Sequence, residues 1–232
     1  MHLLLIGATG RNGLLVLKAA LASSHTVTAL VRESSKSKLP QHPNLTIICG
    51  QPTSAADIAK ALVTPRPPEA VISTLNLRRV SESPFAAPSP DTPNDFLNTA
   101  MNALLDAIRS TTTLGSEPKI IINSMQGVAE SKSSLIFPIR MLFHHSNMRY
   151  TLSGHQELDE LVKGSGMAYV MARAARLTDG NGKADVSRVK DLGDDGKGAA
   201  WTASIARDDL AAWLVKAAES DKWNNHSPVL VN

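Results

Sequence analysis

Leu3-Leu4-Leu5-Ile6-Gly7-Ala8-Thr9-Gly10-Arg11-Asn12-Gly13 is the stretch whose reading decides the fold. Four apolar residues are too few for a helix. They end in closely spaced glycines, and an amphipathic stretch over 14–21 follows, so the order is strand, turn, helix. Gly7 permits a tight turn, Gly10 lets the backbone approach a pyrophosphate, and Gly13 lets the helix pack close to the strand. The helix N-terminus adds oriented N–H groups and a partial positive charge for phosphate. Strand before and helix after, the pattern predicts a dinucleotide site; the bland alternative is a plain strand–helix turn.

The same alternation runs through the 232 residues. Thr26–Val31 and Leu45–Cys49 read as strands, and 54–63 reads as a helix that Ser54 caps. Ala70–Ser73 is a fourth strand, and 94–109 carries Leu97, Met101, Leu104, Leu105 and Ile108 at helical spacing. A strand over 119–123, a helix over 154–163, a strand over 167–172, a helix over 208–218 and the strand Val229–Val231 complete the pass. This predicts an α/β fold: one Rossmann-type domain over 1–232, doubly wound, with a mainly parallel sheet and right-handed crossovers. Ligands then bind beyond the C-terminal ends of the strands. Two long segments hang there, the proline-rich 75–93 and the insertion 127–148 with Phe137, Met141, Phe143, His144 and His145. Both are expected to roof a substrate pocket.

Composition excludes several classes. Lysine and arginine outnumber the acids 24 to 21, a net charge of +3, and no block of like charges occurs. A nucleic-acid partner is therefore not indicated. Cys49 is the single cysteine, which rules out an intrachain disulfide and a cysteine metal site; it reads as a small buried hydrophobe. No apolar run approaches the ~20 residues of a membrane span, and no basic leader precedes the first strand, so a cytoplasmic protein is expected. His144 and His145 are adjacent and point ~100° apart on a helix, so they do not share a metal, and nothing else supplies a metal triad. One of them either faces the pocket or is exposed. Whether the chain is a monomer or a homodimer stays open, since the helices over 94–109 and 154–163 could pair or be covered by the roof.

The second strand ends in Val31-Arg32, followed by Glu33, Ser34, Ser35, Lys36 and Lys38. An acidic residue at this strand end hydrogen-bonds a ribose 2′-hydroxyl, whereas arginine accommodates a 2′-phosphate. Arg32, with Ser35 beside it, favours NADPH over NADH; Glu33 turned to the ribose would reverse that.

Six stretches then occur in a telling order: 7–13, Val31-Arg32, Val71-Ile72-Ser73-Thr74-Leu75, Ile122-Asn123-Ser124, Gly166-Met167-Ala168-Tyr169-Val170 and Arg207-Asp208-Asp209-Leu210-Ala211. With them the chain resembles the atypical short-chain dehydrogenase/reductases, in their NmrA-like and biliverdin reductase B (flavin reductase) branch. It is similar in particular to fungal NAD(P)-binding oxidoreductases of polyketide pathways. The resemblance implies that Thr9, Arg11 and Asn12 contact the diphosphate and that Arg32 meets the 2′-phosphate. It also implies that Leu75 and Arg78 line the cofactor groove and that Ser124 lies near the nicotinamide.

One departure from the wider superfamily matters. Typical reductases of this fold use Tyr-x-x-x-Lys to protonate a carbonyl oxygen, but the corresponding positions here hold Thr151 and His155. Tyr150 is one residue out of register, turned ~100° away. Ser124 and His155 are the remaining catalytic candidates. Asp159 follows His155 by four residues, so its carboxylate is expected to hold the imidazole and raise its pKa. His155 then serves as a proton donor or as a brace for the cofactor ribose or a loop. The branch that lacks the Tyr/Lys pair implies hydride delivery to an aromatic acceptor without it. Asn123-Ser124-Met125-Gln126-Gly127 is not the G-x-S-x-G elbow of a hydrolase.

The leading expectation is an NADPH-dependent reductase of an aromatic or polycyclic ketone, quinone or flavin-like acceptor in secondary metabolism. The alternatives are an isomerase, cyclase or ring-opening enzyme that keeps NADP without net redox, and a non-enzymatic NADP(H) sensor.

Overall fold

The opening apolar run forms β1 (His2–Ile6), buried along its whole length because it pairs in parallel with a strand on each side. The computed structural model describes residues 1–81 and 83–232; Glu82, within the expected roof segment 75–93, lies outside the described residues. After β1 come α1 (Arg11–Ala22), β2 (Thr26–Val31), β3 (Leu45–Cys49), α2 (Ala55–Leu62), β4 (Ala70–Ser73), α3 (Phe96–Ser110) and β5 (Lys119–Met125). Then follow α4 (Phe137–His145), α5 (Met148–Gly164), β6 (Tyr169–Ala174), β7 (Arg176–Thr178), β8 (Lys190–Asp191), β9 (Ser204–Ala206), α6 (Arg207–Glu219) and β10 (Val229–Val231).

The main sheet has the order β3-β2-β1-β4-β5-β6-β10-β8, parallel except for β8 at its edge, and β7 and β9 form a separate parallel pair. Alternate residues of each strand feed two cores. Leu3, Leu5 and Ile72 join Leu17 of α1 and Trp213 of α6 on one face. Leu4, Ile6, Val71, Ile120 and Ile122 join Ile58 of α2, Leu104 of α3 and Leu158 of α5 on the other. The doubly wound, mainly parallel α/β architecture is the expected one. Among the described residues no helix is long and apolar enough to cross a membrane.

Several local expectations are corrected. The fifth helix begins at Met148, not at 154, and Gly154 lies inside it. A Cβ on Gly154 would stand 3.2 Å from Leu97 Cδ1, so close contact with α3 offsets a glycine cost of roughly 1 kcal/mol. The insertion 127–148 is not loop but a 3-10 turn (Ala129–Ser134) and α4, with Pro138 in its first turn. The segment 75–93 contains a small antiparallel turn, in which Val80 N–H donates to Ala87 O (3.0 Å) and Ser89 N–H to Arg78 O (2.8 Å). Asn147 stitches the two segments together: its backbone N–H donates to Pro84 O (2.9 Å), and its Nδ2 to Phe85 O (3.0 Å) and Ala86 O (3.1 Å). Cys49 is half-buried, not buried, because β3 is the edge strand and every residue in it is partly exposed. The Ser54 cap forms as expected, its Oγ accepting from Asp57 N–H (3.2 Å).

Candidate functional site

The strand order reverses between β1 and β4, and the glycine turn leaves β1 at that point. Such a switch point opens a crevice beyond the strand ends. Gly7 sits at φ +89°, and Thr74 Oγ1 donates to its carbonyl (3.1 Å). Gly10 N–H closes the turn on Gly7 O (3.0 Å). A Cβ on Gly13 would fall 2.1 Å from Gly7 O, whereas one on Gly10 would meet no protein atom nearer than Gly7 O at 3.4 Å. Gly7 and Gly13 are thus required by the protein's own packing, whereas the absent side chain of Gly10 leaves that side of the turn open. No side chain caps α1, so its first-turn N–H groups have the orientation that binds phosphate.

Thr9 is half-buried in the turn, and the side chains of its neighbours reach sideways. Arg11 Nη2 donates to Asp179 Oδ1 (2.9 Å), and Asn12 Oδ1 accepts from Arg207 Nη1 (2.8 Å). Arg32 follows β2 directly, is half-buried, and its guanidinium has no hydrogen-bonding or ionic partner among the described residues. Glu33 is exposed beside Cys49, and its carboxylate, with burial, pushes the thiol pKa up. Ser35 is buried in the turn after β2, its N–H donating to Arg32 O (2.9 Å). Leu75, with Ile6, Ser73, Leu97 and Leu158, borders a cavity of about 10 Å³ behind the switch point, space for one water at most. Arg78 is exposed and lies 3.7 Å from Asp91, a pair too solvated to hold it in place.

Ser124 stands near the end of β5, paired in register with Arg173 of β6. It is buried, and among the described residues neither its Oγ nor the adjacent Asn123 Oδ1 has a hydrogen-bond partner. Ser124 follows Ile120 and Ile122 on the sheet face that α5 covers, and His155 is buried on α5. His155 is fully withdrawn from solvent, neither ring nitrogen has a hydrogen-bond partner among the described residues, and burial takes its pKa down to about 4.

The expected His155–Asp159 pair is overturned. Asp159 Oδ1 accepts from Arg173 Nη2 (2.7 Å), and Oδ2 faces Lys163 Nζ (2.8 Å). A guanidinium and an ammonium outcompete an imidazole for a buried carboxylate, because charge-assisted bonds are about twice as strong as neutral ones. Arg173 also donates to Glu130 Oε2 (2.6 Å) and Asp194 O (2.9 Å), so it ties the 127–148 insertion and the segment near Asp194 to the sheet. Burial works against ionised Glu130, but hydrogen bonds from Lys163 and Arg173 outweigh it and bring its pKa down to about 2. Sequence reading missed this network; the signal was an arginine inside the apolar strand Tyr169–Ala174, which a low-dielectric interior tolerates only when paired.

Tyr150 is half-buried, its hydroxyl accepting from Arg149 Nη2 (2.9 Å), and Thr151 is buried. His144 and His145 are both exposed at the end of α4. At a pKa of about 4 only about one His155 ring in a thousand is protonated at pH 7, so it offers a neutral hydrogen-bonding ring and not an acid.

In backbone shape the chain is similar to the anaerobillin reductase ChuY from Escherichia coli, at 20% sequence identity over 100% of this chain and 97% of that one, with a TM-score of 0.73. It is similar to a short-chain dehydrogenase/reductase from Veillonella parvula in complex with NADP, at 14% identity over 100% and 94% of the two chains, TM-score 0.73. It is also similar to the oxidoreductase ylbE from Lactococcus lactis, at 17% identity over 100% and 91%, TM-score 0.73. At these identities the likeness carries the Rossmann-like fold alone. No curated protein matches the chain in sequence. With an open glycine turn at the switch point and a family model that matches residues 7–221, the chain belongs to the NAD(P)H-binding family.

Proposed function

We propose that the chain is an NADPH-dependent reductase of an aromatic or polycyclic ketone, quinone or flavin-like acceptor. The observation that carries the reading is the open glycine turn at the switch point, together with exposed apolar side chains on the two segments that follow β4 and β5. Val80 and Phe85 on one segment and Ile136, Phe137, Met141 and Leu142 on the other are exposed, and Asn147 holds the two segments together. Clustered exposed apolar groups mark a binding surface. Their chemistry suits a flat hydrophobic acceptor. Secondary metabolism, implied by the resemblance to polyketide-pathway oxidoreductases, belongs to the same proposal.

The nicotinamide, when bound, supplies a hydride. The first turn of α1 holds the diphosphate, and the unpaired Arg32 selects the 2′-phosphate. Ser124, a buried hydroxyl without a hydrogen-bond partner among the described residues, is the group we assign to the nicotinamide end of the groove. His155 serves as a neutral positioning ring in the layer behind it, and the proton that completes reduction comes from water.

A second reading, isomerisation or cyclisation with NADP retained, draws on one observation. Thr151, Ser124 and His155 include no group that is an acid at neutral pH. Spectrophotometric NADPH consumption against a panel of quinones, flavins and aromatic ketones separates the two. Stoichiometric consumption with at least one acceptor is expected. Tight NADPH binding with no consumption by any of them overturns the reductase reading.

A further inference from the structure

The paired strands β7 and β9 end in register at Thr178 and Ala206, so the next residues, Asp179 and Arg207, emerge side by side. Asp179 Oδ1 accepts from Arg11 Nη2 (2.9 Å) and from Arg207 Nε (3.3 Å), while Arg207 Nη1 donates to Asn12 Oδ1 (2.8 Å). One carboxylate oxygen therefore sits between the first residue of α1 and the first residue of α6, against the glycine turn.

We propose that Arg207 is an additional anion-binding residue of the dinucleotide site, and that Asp179 is an internal competitor that occupies Arg11 and Arg207 until a diphosphate displaces it. The inference rests on reading the turn as a dinucleotide site. Two guanidinium donors converging on one oxygen are the donor set that a phosphate oxygen takes. The carboxylate that holds them is weakly fixed: the Asp179 side chain is 76% exposed and that of Arg11 54%. Exposed pairs of this kind contribute little, so a diphosphate with more charge and more acceptor oxygens, aided by the dipole of α1, replaces it. Arg207, in contrast, is only 17% exposed and is held by Asn12, so its donors are already aligned on the turn. The backbone beside Asp179 is anchored elsewhere. Gly182 N–H donates to Asp208 Oδ2 (2.9 Å), and a Cβ on Gly180 would lie 2.1 Å from that same oxygen, so the segment stays on α6 while the Asp179 side chain swings away.

The test measures binding of NADPH and of inorganic pyrophosphate by calorimetry to the full chain and to Asp179→Asn, Arg207→Gln and Arg207→Lys. Asp179→Asn is expected to bind both probes roughly two- to fivefold more tightly, a gain that loss of a structural contact would not produce. Arg207→Gln is expected to bind both roughly tenfold more weakly, with Arg207→Lys recovering part of the loss and the thermal midpoint reporting the fold. Unchanged or weaker binding by Asp179→Asn overturns the competition, and unchanged binding by folded Arg207→Gln overturns the role of Arg207. Pyrophosphate binding that tightens in Asp179→Asn without any NADPH binding keeps the clamp and removes the dinucleotide reading. Binding of neither probe by the unaltered chain overturns both.

Discussion

His155 and Arg173 are both wholly withdrawn from water on the same face of the sheet, one on α5 and the other on β6, and the chain treats them in opposite ways. Arg173 meets Asp159, Glu130 and the Asp194 carbonyl. His155 has no hydrogen-bond partner among the described residues, and burial keeps its ring neutral with a pKa of about 4. A fixed charge survives in a low-dielectric interior only with counter-charges, so the network around Arg173 reads as architecture, fastening the roof to the sheet. Unpartnered buried polar atoms are rare in native proteins. Among the described residues His155 and Ser124 Oγ are such groups, Ser124 standing in register with Arg173 itself, and our proposal gives these unpartnered groups to the reaction and the charged network of Arg173 to support.

The comparison breaks first at Arg173. Arg173→Met leaves Asp159 buried with only Lys163 and should destabilise the fold by about 3–5 kcal/mol in urea titration. Adding Asp159→Leu should restore part of that, since an apolar replacement of a buried pair is often close to neutral. A loss below about 1 kcal/mol for the single variant would erase the distinction between the two regions.

His155 should reveal itself through pH. The unfolded chain takes up its proton below the ordinary value of 6.5, the folded chain only near 4, so unfolding binds protons between these values and stability falls as pH falls through that window. The contribution is at most on the order of 3 kcal/mol, and His155→Leu should remove it. Glu130, held near 2, acts lower: its share is present above about 4.5 and is lost as pH falls toward 2. Identical slopes for the unaltered chain and His155→Leu between pH 6.5 and 4.5 would show that the ring is not buried neutral.

Arg32 is the counterpart of Arg173 without an internal counter-ion. Arg32→Ala should weaken NADPH binding roughly tenfold to over a hundredfold and leave NADH binding nearly unchanged. Equal losses for both cofactors would end its assignment to the 2′-phosphate. The smallest effect on stability is expected at Ser124. Its Oγ has no partner to lose, so Ser124→Ala should move the thermal midpoint by less than about 2 °C while lowering turnover. A larger shift would reveal a structural bond and move Ser124 to the supporting region.

Much of this was legible in the chain. The bounds of β2, β3, β4 and β10 and the Ser54 cap follow from short apolar runs and local hydrogen bonding, as does the glycine turn, where neighbouring atoms exclude a side chain at Gly7 and Gly13. β7, β8 and β9, of two or three residues each, are too short to show a period. The start of α5 was hidden by Gly154, which looks like a helix boundary until Leu97 fills the space against it. Asp159 misled for a similar reason: four-residue spacing puts it one turn from His155, and nothing local reveals that Arg173 will claim it.

By itself the sequence determined the strand–helix alternation, the order of the cofactor turn and the absence of the Tyr-x-x-x-Lys acid, all set by residue type and spacing within about a dozen positions. Tertiary structure alone decided which polar groups are satisfied. Arg11 meets Asp179 across 168 residues and Asn12 meets Arg207 across 195, and burial, not composition, makes His155 a neutral ring. Ionisation and partner choice depend on the dielectric and the charges that folding brings within a few ångströms, and those distances exist only after the chain has closed on itself.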